Sequence, residues 1–285
     1  MTNYFSIAGI KIKLEGSLYD YVLYRLRDYA VNYIKVPDVT ITYREEENIK
    51  IPECTLVKKD RFRMFCENEE EYVNYDILKE NDYSALMRIK KDFKEINLYL
   101  KDVEDLGGAS LSVRLFNMIG EVVKQLVIKN RGLSVHSSSI SYKDNGIIFS
   151  APSGTGKSTH TRLWQKNYEG TKIINDDMPV LRVIDGKFHL CGVPWSGKTE
   201  RNINENVPLK AVVFLERGEK NEIEEISVAE SVFLLLKQTT MPPYKELAKE
   251  VMNNVKNLVE NIPFYRLKCT ISDEAPKVVK DKLGI

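Results

Sequence analysis

Cysteine is scarce in this chain of 285 residues, and the four present, Cys54, Cys66, Cys191 and Cys269, form no C-x-x-C pair and no cluster with histidine. That excludes a zinc knuckle and a disulfide framework, and leaves free thiols of structural use. An excess of one charge sign is also missing. Lys and Arg outnumber Asp and Glu by 42 to 41, so no grip on nucleic acid or on an anionic membrane is expected. Long apolar runs are absent too: residues 209–215 fall far short of the ~20 needed to span a bilayer. The opening Met1-Thr2-Asn3-Tyr4-Phe5 carries no basic segment before an apolar one, so no secretory signal is read and a cytoplasmic protein is expected. No internal repeat or low-complexity linker is visible.

What remains is an ordinary mixture for a packed core, with a length that suits one large or two small domains. Residues 1–106 read as an α+β region. Runs 5–14, 39–44, 61–66 and 85–100 alternate in the manner of half-buried strands. Between them, residues 18–34 place Leu18, Tyr21, Val22, Arg25, Leu26, Tyr29 and Tyr33 at helical spacing, as a helix packed on a sheet would. Residues 107–285 read as a second domain. A long amphipathic helix over 110–129 leads to strands 133–142 and 145–150, with Asn145-Gly146 as a hairpin signal between them. Further strands are expected at 172–174, 180–184, 188–191, 211–216, 222–226 and 264–269. Ser227-Val228-Ala229-Glu230 reads as a capping box opening a helix to Lys237, and residues 243–261 and the stretch to Leu283 as two more. Strands and helices alternating with hairpins predict an α/β fold on a mixed sheet.

One segment carries chemistry: Ala151-Pro152-Ser153-Gly154-Thr155-Gly156-Lys157-Ser158, followed by Thr159. An apolar strand precedes it and a helical run follows. Gly154 and Gly156 let backbone N–H groups turn toward an anion, and the helix points its positive end at the same place. In such a loop the lysine reaches β- and γ-phosphate oxygens and the Ser158 hydroxyl joins a Mg²⁺ shell. The strict pattern has glycine where Ala151 stands, which alanine replaces wherever φ stays negative. Downstream, Asp176 and Asp177 end an apolar strand where a nucleotide-binding protein supplies a carboxylate to the metal. Adjacent residues of an extended segment point to opposite sides, so one carboxylate can hold metal while the other accepts a proton.

The run Ser153 to Thr159 with the Asp176-Asp177 pair resembles the HPr kinase/phosphorylase family, and is similar to its structural relative, ATP-dependent phosphoenolpyruvate carboxykinase. His136, on the strand before the loop, fits the same pattern. The resemblance covers residues 133–216 well, the remainder weakly, and neither the N-terminal domain nor the C-terminal regulatory signature of HPr kinase is matched. It implies a P-loop mixed-sheet kinase core over 107–285, preceded by the α+β region at 1–106 as a place for acceptor recognition. It implies Mg-ATP as cofactor, held by Ser153, Gly154, Thr155, Gly156, Lys157, Ser158 and Thr159. Lys157 would lie on the phosphates, Ser158 and Asp177 around the metal, and Asp176 would act as general base tuned by His136. The acceptor would be a hydroxyl of a protein or peptide serine, or of a small metabolite, and a homo-oligomer is common among such relatives.

A second glycine loop, Gly192 to Lys198, precedes Arg201. Lys198 and Arg201 are candidates to stabilise charge on a transferring phosphoryl group, with solvated loop cations as the plain alternative. Trp195 and His160 are expected to pack, and His189 to sit in the core. His136-Ser137-Ser138-Ser139 is polar for a strand, as a site-lining or solvent-facing edge would be. The functional expectation is an ATP-dependent kinase; the alternative is an ATP-binding or ATPase switch without transferase activity.

Overall fold

The computed structural model describes residues 1–103 and 109–285. The boundary expected at residues 106–107 lies outside the described residues. The chain forms two compact units, Met1–Leu126 and Val127–Ile285.

The strands of the first unit are β1 (Thr2–Ile7), β2 (Ile10–Glu15), β3 (Ala30–Val31), β4 (Val39–Glu45), β5 (Thr55–Asp60), β6 (Arg63–Glu67), β7 (Glu71–Lys79), β8 (Asp82–Lys90) and β9 (Glu95–Leu100). They form one mixed sheet in the order β3-β1-β2-β4-β9-β8-β7-β6-β5. Alternation drives it: on β2, Ile10, Ile12 and Leu14 are buried while Lys11 is exposed. The apolar run 5–14 is a hairpin rather than one strand, because Ala8 and Gly9 at φ 50° and 73° reverse the chain. Run 85–100 is divided likewise between β8 and β9. The helix expected over 18–34 is much shorter. It is α1 (Asp20–Leu26), followed by a single 3-10 turn. After that turn Ala30 and Val31 pair with Phe5 and Tyr4, and Tyr33 lies edge-on to Tyr4 at 5.4 Å. Pairing to an open sheet edge here outweighs helical periodicity.

The helix α2 (Leu111–Lys129) spans the division between the units. The second unit continues through β10 (Gly132–Ser134), β11 (Ser137–Tyr142), β12 (Asn145–Ser150), α3 (Lys157–Asn167), β13 (Lys172–Asn175), β14 (Val180–Ile184), β15 (Lys187–Cys191) and β16 (Asn206–Arg217). It ends with β17 (Glu222–Glu225), α4 (Val228–Lys237), α5 (Lys245–Asn261), β18 (Phe264–Cys269) and α6 (Glu274–Leu283). Its sheet runs β10-β14-β15-β16-β12-β11-β13, with β18 also on β16 and β17 on β18. The long β16 organises it, lying parallel to β12 and β18 and antiparallel to β15. Both sheets are therefore mixed, and the protein is of the mixed α/β class. Phe149, Trp164, Val213, Leu267 and Val279 share one buried cluster that joins α3 and α6 to this sheet.

Two local signals resolve differently from their expected form. In the β11–β12 hairpin the turn residues are Lys143 and Asp144 at φ 48° and 58°, while Asn145 already pairs with Tyr142. The Asn145 amide instead donates to the Lys143 carbonyl at 2.8 Å. At α4, the Ser227 hydroxyl oxygen accepts from the Glu230 N–H at 3.3 Å, but the Glu230 carboxylate pairs with Arg266 rather than returning to the cap. All four cysteines are free. Among the described residues no helix is long and apolar enough to cross a membrane.

Candidate active site

The glycine loop connects β12 to α3, so the apolar strand delivers it to the edge of the core and the helix begins at Lys157. Gly156 caps that helix at φ 116° and Gly154 stands at φ 77°, where side chains cost about 1–2 kcal/mol. The space beside both is open, with no atom within 4 Å of a Cβ built on either. Ser153 is exposed, Thr155, Ser158 and Thr159 are half-buried, and the Gly154 carbonyl accepts from Arg217 Nη2 at 2.9 Å. Lys157 is buried and its Nζ donates to the Ala151 carbonyl at 2.9 Å, folding the ammonium back over its own loop. Burial lowers the Lys157 pKa, and the carboxylates of Asp177 and Asp176 oppose that shift.

The acidic pair follows β13. Asp176 is 6% exposed; its Oδ1 accepts from Ser138 Oγ at 2.6 Å, and its Oδ2 is buried with no hydrogen-bond partner. Ser138 Oγ also lies 2.9 Å from Thr161 Oγ1 on α3, so one hydroxyl links the loop helix to the carboxylate. Asp177 differs. Its side chain is 40% exposed, and its Oδ1 lies 3.6 Å from His136 Nε2. The other ring nitrogen, His136 Nδ1, lies 3.2 Å from Gln238 Oε1, and an amide oxygen only accepts, so the Nδ1 proton points there. The main chain repeats the link, with His136 N–H donating to the Gln238 carbonyl at 2.8 Å. Glycine loop, acidic pair and His136 thus come together.

Asn175 holds the pair in place. Its Oδ1 accepts from the N–H groups of Asp177 and Met178 at 2.9 and 2.8 Å, and its Nδ2 donates to the carbonyls of Val193 and Trp195 at 2.8 and 3.1 Å. A fully buried amide with all its hydrogen bonds made fixes both segments. The second glycine loop is therefore beside the acidic pair, and a Cβ on Gly197 would lie 3.0 Å from Asp177 Oδ2. Lys198 and Arg201 are exposed. What Arg201 contributes directly is its carbonyl, which accepts from Asp176 N–H at 3.2 Å.

Asn175, Arg217 and Gln238 went unread in the sequence, and Ser138 reads there only as part of a polar strand edge, lining a site or facing solvent. Ser137, Ser138 and Ser139 form no edge: β11 runs between β12 and β13, and all three serines are buried. Their hydroxyls donate to Val135 O, Asp176 Oδ1 and Asn175 O. The polar run was the visible signal, and the interior place of its strand is what the sequence did not show. His189 is half-buried, its Nδ1 lying 3.0 Å from the Lys187 carbonyl, rather than in the core.

His160 is the buried histidine. It lies against Phe149 at 4.4 Å, and its Nε2 accepts from Trp164 Nε1 at 3.2 Å. Burial pushes its pKa down to about 3, from the ordinary 6.5. The unfolded chain therefore binds a proton that the folded one refuses, and stability falls as pH drops from 6.5 toward 3. At pH 5 the loss relative to neutral pH is about 2 kcal/mol. Tryptophan occurs only at Trp164 and Trp195, both in the second unit, so fluorescence-monitored urea unfolding at pH 7.5 and 5.0 reads it. His160→Gln, which keeps an acceptor for Trp164, is expected to lose most of that pH dependence; an unchanged dependence refutes the assignment.

Fold and site define a mixed α/β protein whose strand–glycine loop–helix unit faces a paired carboxylate. Residues 107–280 match the family described as SynChlorMet cassette protein ScmC, and the chain belongs to that family. Among solved structures, the HPr(Ser) kinase/phosphatase from Coxiella burnetii is similar at 10% identity and a TM-score of 0.32, over 52% of this chain and 89% of that one. So distant a likeness carries no functional argument. No curated protein matches.

Proposed function

We propose that the protein is an ATP-dependent kinase that transfers the γ-phosphoryl group to a hydroxyl acceptor. The observation that carries this reading is the link between the acidic pair and the helix that Lys157 opens: Ser138 Oγ lies 2.6 Å from Asp176 Oδ1 and 2.9 Å from Thr161 Oγ1 on α3. Backbone amides of the loop and the positive end of α3 would bind phosphate oxygens, and the open space beside Gly154 and Gly156 accommodates them. Lys157, now on the Ala151 carbonyl, would turn to the β- and γ-phosphates.

The residues also fit a magnesium ion. Among the described residues no three His, Cys, Asp or Glu side chains gather to hold a metal unaided. Magnesium is typically held by one or two carboxylates together with nucleotide phosphates. When bound it would neutralise charge building on the phosphates. The unpartnered Oδ2 of Asp176, with the Ser158 hydroxyl, suits it. We accordingly exchange the roles that the family resemblance implied. Asp176 is too enclosed to meet an acceptor, whereas Asp177 is open and faces His136. Asp177 would take the acceptor's hydroxyl proton, and His136 Nε2 would share it, while Gln238 keeps the ring turned. Lys198 and Arg201, exposed on the neighbouring loop, would shield the transferred group.

Incubating the purified protein with γ-labelled ATP, magnesium and an extract of its source tests the reading. Label on an acceptor, absent with Lys157→Ala, is the expected result. Label released only as inorganic phosphate would favour an ATPase switch, and nucleotide affinity unchanged in Lys157→Ala would refute the site.

A further inference from the structure

The strands that frame the glycine loop give a bound nucleotide a direction. β12, which delivers the loop, has β11 on one side and the C-terminal half of β16 on the other. β13 pairs with the far edge of β11, and β18 with the far edge of β16. β11 is antiparallel to both β12 and β13, so β13, β12, β16 and β18 all end along one margin of the sheet. Open α/β sheets receive ligands at that margin. At about 4.8 Å per strand, the acidic pair lies ~10 Å to one side of the loop strand, and the end of β18 as far to the other. A nucleoside triphosphate is linear. With its γ-phosphate turned to Asp176 and Asp177, its nucleoside end leaves over β16 and β18.

That flank is built for a flat ring. Ser150, the last residue of β12, stands opposite Phe214, so β16 runs on beside the loop as far as Arg217. Arg217 is exposed, and its Nη2 donates to the Gly154 carbonyl at 2.9 Å. Among the described residues no carboxylate pairs with it, and the adjacent Glu216 is held by Arg266 at 2.9 Å. A guanidinium plane stacks on aromatic rings, nucleobases included. Arg217 lies across from Cys269 of β18, and two residues further on Ile271 is 83% exposed at the turn into α6. Asn221 braces the two turns. Its Oδ1 accepts from Thr270 N–H at 2.9 Å, and its Nδ2 donates to Ser272 Oγ at 3.0 Å.

We infer that Arg217 and Ile271 form the nucleoside seat of the candidate active site, with the base stacked on the Arg217 guanidinium and covering Ile271. The inference rests on the kinase reading and says where the nucleotide points within that site. A brace on Gly154 alone would act on the phosphate loop, and so on any polyphosphate. A nucleoside seat acts only where a base is present, which makes the two roles separable.

The test uses the full chain with magnesium and calorimetry of two probes, ATP and inorganic tripolyphosphate. Arg217→Ala should weaken ATP about tenfold more than it weakens tripolyphosphate. Arg217→Lys keeps a donor for Gly154 but not the plane, and should retain most of that difference. Ile271→Asn should weaken ATP and leave tripolyphosphate unchanged, and all three variants should melt with the parent. Photolabelling of the parent with 8-azido-ATP, mapped by mass spectrometry, should mark residues 217–221 or 269–272. Equal losses for the two probes in Arg217→Ala, or full recovery in Arg217→Lys, would reduce Arg217 to a brace and overturn the inference. Label on residues 195–201, beside the acidic pair, would overturn it as well while leaving the kinase reading intact. A parent that bound neither probe would sink that reading, and the nucleoside seat with it.

Discussion

Asp177→Asn is expected to lower kcat for phosphoryl transfer by about 10²–10⁴-fold, the usual contribution of a general base. Affinity for Mg-ATP should stay within about threefold, because the interaction lost belongs to the transition state. The amide keeps the shape of the carboxylate but cannot accept the acceptor's proton. Its main-chain anchors, the Asn175 oxygen on its N–H and the Ser137 N–H on its carbonyl, are untouched. Asp176→Asn should behave differently. Its carboxylate takes the Ser138 hydroxyl at 2.6 Å and is nearly sealed from solvent, so substitution should appear first as weaker magnesium-dependent nucleotide binding. Nucleotide affinity by calorimetry and single-turnover transfer by quench-flow separate the two. Full transfer by Asp177→Asn, with Asp176→Asn silent in nucleotide binding, would return the base to Asp176.

How much of this was legible follows the distance over which each signal acts. The loop from Ser153 to Ser158 and the acidic pair could be found because each is a local pattern: an apolar strand, a short polar segment, then a helix or a turn. Element types were readable in the second unit for the same reason. Residues that tie the patterns together were not. Asn175 is an unremarkable amide at a strand end until β13 and the loop at Val193 and Trp195 converge on it, and Gln238 is a helix terminus until β11 arrives beside it. Ser138 looked like an edge residue because polarity within a strand usually means solvent. Here it means an interior network, and only sheet order distinguishes the two. The short α1 has a similar origin, since helical spacing in residues 18–34 says nothing about the open edge of β1.

The second loop glycine makes the strongest case for a contact that no local pattern announces. Gly192→Ala is expected to destabilise the second unit by about 3 kcal/mol or more, at the upper end for overpacked sites. A Cβ there would stand 1.8 Å from the Ile203 carbonyl oxygen and 3.1 Å from that of Ile174, and main-chain atoms cannot swing aside as a side chain would. To make room, the segment carrying Ile203 must leave β13, straining the bonds from Ile203 N–H to Ile174 O and from Gly192 N–H to Glu205 O. The Arg201 carbonyl, which holds Asp176 N–H, moves with that segment, so the acidic pair shifts as well. A fall of roughly 10 °C in the melting temperature read by tryptophan fluorescence should therefore accompany the loss of transfer. Gly154→Ala is the matched control: it meets nothing within 4 Å and should cost only about 1–2 kcal/mol through its positive φ. If Gly192→Ala melted with the parent, the packing of this loop against β13 would be wrong, and with it the position of Asp176 and Asp177 opposite Lys157.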